Sequence, residues 1–116
     1  MAIVVDRPVL VAFFATTQAQ VDSSDDTREA LSDFQHYLPA IKRGLDPLGV
    51  ALREQYTDTV RYVVDGRALV WTPEKDSADV GYLLLRPDAA PRVQYAVGTT
   101  DDVLDQVKVW LGCKTP

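Results

Sequence analysis

The sequence has little of what most chemistry needs. It holds one cysteine, one histidine and one methionine in 116 residues. A single cysteine excludes an internal disulfide and a cysteine-pair redox centre. One cysteine and one histidine are too few ligands for a Cys/His zinc site. Positive charge is also short: 12 Lys and Arg stand against 17 Asp and Glu, a net charge of −5. Nucleic acid and anionic membranes both select for positive surface, so neither is an expected partner. No apolar run reaches the roughly 18 residues of a membrane span. No glycine-rich phosphate loop is present, and Gly44 and Gly49 read as helix-ending glycines. What remains is ordinary globular material, 47% hydrophobic and 25% charged. The length suits one domain over residues 1–116 with one core of its own.

The first apolar stretch sets the reading of the N-terminal half. Residues 8–15 resemble the core of a secretory signal, but the stretch is short. Asp6 also cancels the charge of Arg7 ahead of it. The cytoplasm is therefore the expected location. Val9-Leu10-Val11-Ala12-Phe13-Phe14-Ala15 is apolar at every position and follows Pro8. That is the pattern of a strand buried on both faces, central in a parallel or mixed sheet. Residues 2–5 read as a short strand before it. Residues 16–24 are polar and read as a loop with an acidic end.

A helix follows. Leu31, Phe34, Leu38, Ile41 and Leu45 recur every three or four residues and form one apolar stripe. Asp26 and Glu29 have capping-box spacing, with Ser24 or Asp25 as alternative caps. Lys42 and Arg43 complement the dipole at the other end. Pro39 predicts a kink or a break, and Gly44, Pro47 and Gly49 mark the end of the helical region.

The second half is richer in strands. Residues 50–56 read as a strand with Leu52 toward a core. Asp65-Gly66 between two apolar stretches predicts a two-residue hairpin, with a short helix over 59–64 as the alternative. Residues 81–86 form a further strand, and 87–91 a five-residue turn. Residues 92–97 alternate, with Val93, Tyr95 and Val97 on one face. Thr99 or Thr100 caps a last helix whose apolar face is Val103, Leu104, Val107 and Leu111, ended by Gly112.

A strand–helix–strand crossover followed by a hairpin and a helix predicts an α/β sandwich with a mixed central sheet. Three segments carry a family resemblance. VLVAFFAT resembles the first core strand of the thioredoxin-like superfamily. Leu38-Pro39-Ala40-Ile41 is similar to its kinked helix. DVGYLLLRPDAAPRVQYAVGTTDDVLDQVKVWLG resembles its last hairpin, glycine and final helix. The resemblance implies a three-layer sandwich, a mixed central sheet flanked by helices. Residues 59–73 depart from it, because the family has a helix where this chain reads as a hairpin.

The resemblance also implies where sulfur chemistry would sit. Counting forward from Phe13-Phe14-Ala15 puts Gln18 and Val21 at the two positions of the family's C-x-x-C motif. Counting back from Pro39 puts Leu31 and Phe34 there. Thiol–disulfide exchange needs a low-pKa thiolate, and none of these side chains supplies one. The family's cis-proline position corresponds to Val80-Gly81-Tyr82, with Gly81 at the proline's place. A cis bond there costs about 3 kcal/mol, which predicts a trans Gly81.

Other candidates are weaker. Cys113 beside Lys114 reads as an incidental terminal thiol. His36, with Ser32 and Asp33 on the same helix, does not make a triad. Asp22, Asp25, Asp26 and Glu29 lack calcium-loop spacing and read as capping and solubilising groups. Tyr56, Tyr62, Tyr82, Tyr95, Trp71 and Trp110 read as core or half-buried sheet positions. The resulting expectation is a redox-inactive domain that binds a protein or peptide, with Val80, Gly81, Tyr82 and Gln18 as the peptide-binding residues. No catalytic residue, cofactor or metal is expected. Two alternatives remain: a structural homodimer formed through a sheet face or edge, and an enzyme of non-thiol chemistry using the 16–24 loop.

Overall fold

A computed structural model of the chain describes residues 2–15, 25–57, 59–73, 80–95 and 100–112. The elements run β1 Ile3–Val4, β2 Val9–Phe14, α1 Asp25–Leu45, β3 Ala51–Gln55, β4 Val60–Val64, β5 Arg67–Trp71, β6 Val80–Arg86, β7 Ala89–Tyr95 and α2 Thr100–Trp110. A 3-10 turn, Asp46–Leu48, follows α1. Two α-helices and two mixed sheets are thus present among the described residues. The main sheet has the order β3-β2-β6-β7, and a smaller sheet has the order β1-β4-β5. β2 runs parallel to β3 and antiparallel to β6, and β6 is antiparallel to β7.

The uninterrupted apolar run explains the layering. Successive strand side chains point to opposite faces. Leu10, Ala12 and Phe14 enter one core with Phe34, Leu38, Ile41 and Leu45 of α1 and Val103 and Val107 of α2. Val9, Val11 and Phe13 enter a second core with Val60, Tyr62 and Val64 of β4 and Leu83 and Leu85 of β6. The main sheet is therefore the middle layer, with helices on one side and the small sheet on the other. All six β2 residues are buried.

The hairpin forms where the sequence places it. Asp65 (φ 52°) and Gly66 (φ 78°) both take the left-handed conformation that a tight two-residue hairpin turn requires. The short helix considered for 59–64 does not form. Paired strands bury Val60, Tyr62 and Val64 on one face, which a helix period would scatter.

Four local expectations need correction. Of the kink or break expected at Pro39, the break does not occur, because α1 runs from Asp25 to Leu45. Buried stripe residues on both sides of the proline hold the helix to the sheet. Gln35, whose carbonyl loses its donor, is exposed beside the exposed Pro39, so the lost bond falls on the outer side of the helix and not in the core. Asp26–Glu29 does not cap, because the helix already begins at Asp25; residue 24 lies outside the described residues. Gly44 is inside the helix rather than at its end. A Cβ built there would overlap the Leu104 side chain, so this glycine marks a close approach of α1 and α2. Gly49 ends the helical region instead, with φ 71° and its N–H donating to the Asp46 carbonyl at 3.1 Å. Finally, the expected turn over 87–91 shrinks to Pro87 and Asp88, because β7 starts at Ala89. β7 is an edge strand, where Pro91 is tolerated, and the register shifts between Leu84 and Arg86 opposite it.

Candidate functional site

The residues singled out from the sequence do not all fall where a ligand could reach them. Gln18, Val21, Cys113 and the whole 16–24 loop lie outside the described residues. Val80, Gly81 and Tyr82 open β6, an interior strand of the main sheet. Gly81 pairs with Phe13 on one side and Tyr95 on the other, and Tyr82 pairs with Ala12 and Gln94. Neither offers a free edge to an extended peptide. The described residues contain no cis peptide bond, so Gly81 is trans. Its lack of a side chain has an internal cause: a Cβ would overlap the Phe13 ring, which lies across it.

The carboxyl end of β2 is filled rather than hollow among the described residues. Phe34 stands 5.7 Å from Phe14, 6.0 Å from Tyr56 and 6.4 Å from Tyr82 between ring centroids. Tyr82 is 4% exposed, and burial pushes its phenol up to about 12, with Tyr37 adding to the rise. Tyr56 is the partly open member, 44% exposed. Its hydroxyl donates to Glu54 Oε2 at 2.6 Å and accepts from Gln35 Nε2 at 3.1 Å. Burial and then the Glu54 carboxylate raise its pKa. Each phenol therefore stays protonated at neutral pH, and neither is poised as a base.

The accessible backbone is elsewhere, at β3. Among the described residues this strand is the margin of the main sheet and pairs only with β2. The Ala51 N–H donates inward to the Pro8 carbonyl at 3.0 Å. Alternation along the strand then turns Arg53 and Gln55 inward as well. The N–H and C=O groups of Leu52 and Glu54 point outward, the exposed row of an edge strand. A groove lies on each side of that row. One, about 420 Å³, runs between β3 and α1 and is lined by Gln35, Leu38, Pro39, Lys42, Leu52 and Glu54. The other, about 220 Å³, lies between β3 and β1 and is lined by Ala2, Ile3, Val4 and Arg53.

Comparison with protein-family models, with curated proteins and with solved structures finds no match to this chain. The site is therefore read from its geometry. Sequence reasoning missed Arg53 and Glu54, because strand order decides which strand is a margin, and strand order has no local signature. The one available signal was the mixed pattern of 51–55, whose two middle residues are both charged and exposed.

Other polar groups do not converge. His36 is exposed and meets Tyr37 edge-on, with ring centroids 5.6 Å apart. Among the described residues no three His, Cys, Asp or Glu gather as a metal site, and no helix is long and apolar enough to cross a membrane. The small sheet has one further feature. Register places Val4, Val63 and Ala68 in a row across its three strands, with Val70 beside them. Val4 and Val70 are 66% and 55% exposed, so the outer face of this layer is apolar apart from the exposed Arg61, which pairs with Val70.

Proposed function

We propose that this chain is a thioredoxin-like domain without redox chemistry, and that it binds an extended segment of another protein. The scaffold part rests on order and direction. β2–α1–β3 is a parallel crossover, and the antiparallel pair β6–β7 and the final helix follow it. That is the succession the resemblance implies. The β4–β5 hairpin stands where the family has a helix. The chemical part rests on the single cysteine, Cys113, which follows the last helix. Insulin reduction by the purified protein tests it, with no turnover above buffer expected.

The binding part is carried by one observation: the outward N–H and C=O groups of Leu52 and Glu54 lie between two grooves. Strand addition to a free sheet edge supplies main-chain hydrogen bonds and alternating side-chain pockets. This moves the binding residues from Val80, Gly81 and Tyr82 to the β3 margin. Glu54→Pro is the test. It removes an outward N–H and leaves the ladder to β2 intact. A pool of extended peptides should bind the unaltered chain and lose binding to this variant, with far-UV circular dichroism unchanged.

A second reading, association of two copies, has the apolar row Val4, Val63 and Ala68 behind it. Contiguous exposed apolar surface marks interaction sites. Sedimentation across a concentration range separates the two readings: self-association lost on Val70→Lys supports pairing of copies, and a monomer throughout removes it.

A further inference from the structure

The β3 margin carries more than a free backbone. Its two charged residues face opposite ways, because neighbouring strand side chains do. Leu52 and Glu54 share the groove beside α1, and Arg53 lines the groove beside β1. A strand laid against this edge sends alternate side chains into the two grooves. The residue facing Leu52 enters apolar ground made by Leu38 and Pro39. The residue facing Glu54 meets a carboxylate that Tyr56 already holds by one oxygen. The residue between them meets Arg53, which is exposed and makes no ion pair among the described residues.

We infer that the occupant is an extended peptide with the consecutive pattern basic, acidic, apolar, read from its N-terminus and running antiparallel to β3. The inference rests on the binding reading above and adds its chemistry. Antiparallel pairing is the stronger per residue. In that direction the base faces Glu54, the acid faces Arg53 and the apolar residue faces Leu52. For a second copy of β3, antiparallel pairing sets outward-bonded residues opposite one another; a two-fold centred on Arg53 or Glu54 then puts like charges face to face, which is destabilising, and one centred on Leu52 leaves both charges without an opposite partner.

Fluorescence anisotropy with two labelled, end-blocked hexapeptides tests the pattern. One has Lys-Glu-Leu at its centre between threonines, and the other has Glu-Lys-Leu. The first should bind the full chain about fivefold to tenfold more tightly, from two cross-strand charge pairs turned from attraction to repulsion. The double variant Arg53→Glu with Glu54→Arg should reverse the preference with its far-UV circular dichroism unchanged, since both positions are exposed. Equal binding of the two peptides, or a preference unchanged in the double variant, overturns the inference. If pooled extended peptides still bind and Glu54→Pro still abolishes it, the edge reading survives that loss. If neither the hexapeptides nor the pool bind, both readings fall.

Discussion

The two faces of the main sheet are closed in different ways. On one face, α1 and α2 bury apolar stripes and turn sides outward that are polar apart from Val109; Asp25, Asp26, Asp101 and Asp102 open the two helices. On the other face, three short strands bury Val60, Tyr62 and Val64 and leave Val4 and Val70 exposed. Each face also has one glycine under an intruding neighbour: Gly44 under Leu104 on the helix side, Gly81 under Phe13 on the other. The helical layer is finished as an outer surface. The strand layer shows its outer side as Val4, Val63, Ala68 and Val70 with the single charge of Arg61. A single strand with every position apolar accepts both solutions, because its alternation asks only for apolar cover.

The comparison is broken most severely by removing the rings that fill the two cores. Phe13→Ala and Phe14→Ala should each cost about 3–5 kcal/mol, measured by urea unfolding. Similar losses would mean that the two layers hold β2 equally. A much smaller loss for Phe13→Ala would mean that the strand layer yields and refills the space.

The glycines sharpen it next. Gly81→Ala should cost about 1–3 kcal/mol, because the Phe13 ring is fully buried and has nowhere to turn. Gly44→Ala should change stability by less than about 1 kcal/mol. The ends of Leu104 can shift, and alanine is the better helix former. Equal effects would contradict the difference in rigidity between the two sides.

A titration reads the helix side alone. Tyr82 has its phenol raised from the ordinary value near 10 to about 12 by burial. Above pH 10 the unfolded chain gives up this proton while the folded chain keeps it, so stability is complete below pH 10. It declines as pH rises toward 12, by up to about 2 kcal/mol. Tyr82→Phe should remove that component of the decline in pH-dependent unfolding; an unchanged slope would mean the phenol is hydrated. The smallest effect belongs to the outer face of the strand layer. Val70→Lys should move stability by less than about 0.5 kcal/mol, as surface changes do, and a large loss by thermal denaturation would mean this face is covered.

Much of this architecture is legible in the sequence wherever a short-range rule decides. The run Val9–Phe14 announces a doubly buried strand, Asp65-Gly66 a tight hairpin, and the stripe from Phe34 to Leu45 a helix lying on the sheet. Contacts between distant residues are not legible. Gly44 reads as a terminator until Leu104 is brought against it, and Gly81 reads as an open backbone position until Phe13 lies over it. The candidate site suffers most. Leu52, Arg53 and Glu54 form an ordinary strand in sequence and become a sheet margin only when β3 ends the sheet.

The membership of β2 in both cores has a kinetic side. Its backbone amides are bonded to β3 on one flank and β6 on the other, and its side chains are shared between layers. The strand cannot leave without dissolving both layers. Amide hydrogens from Leu10 to Phe14 should therefore exchange with solvent deuterium only through global opening, slower than any others in the chain.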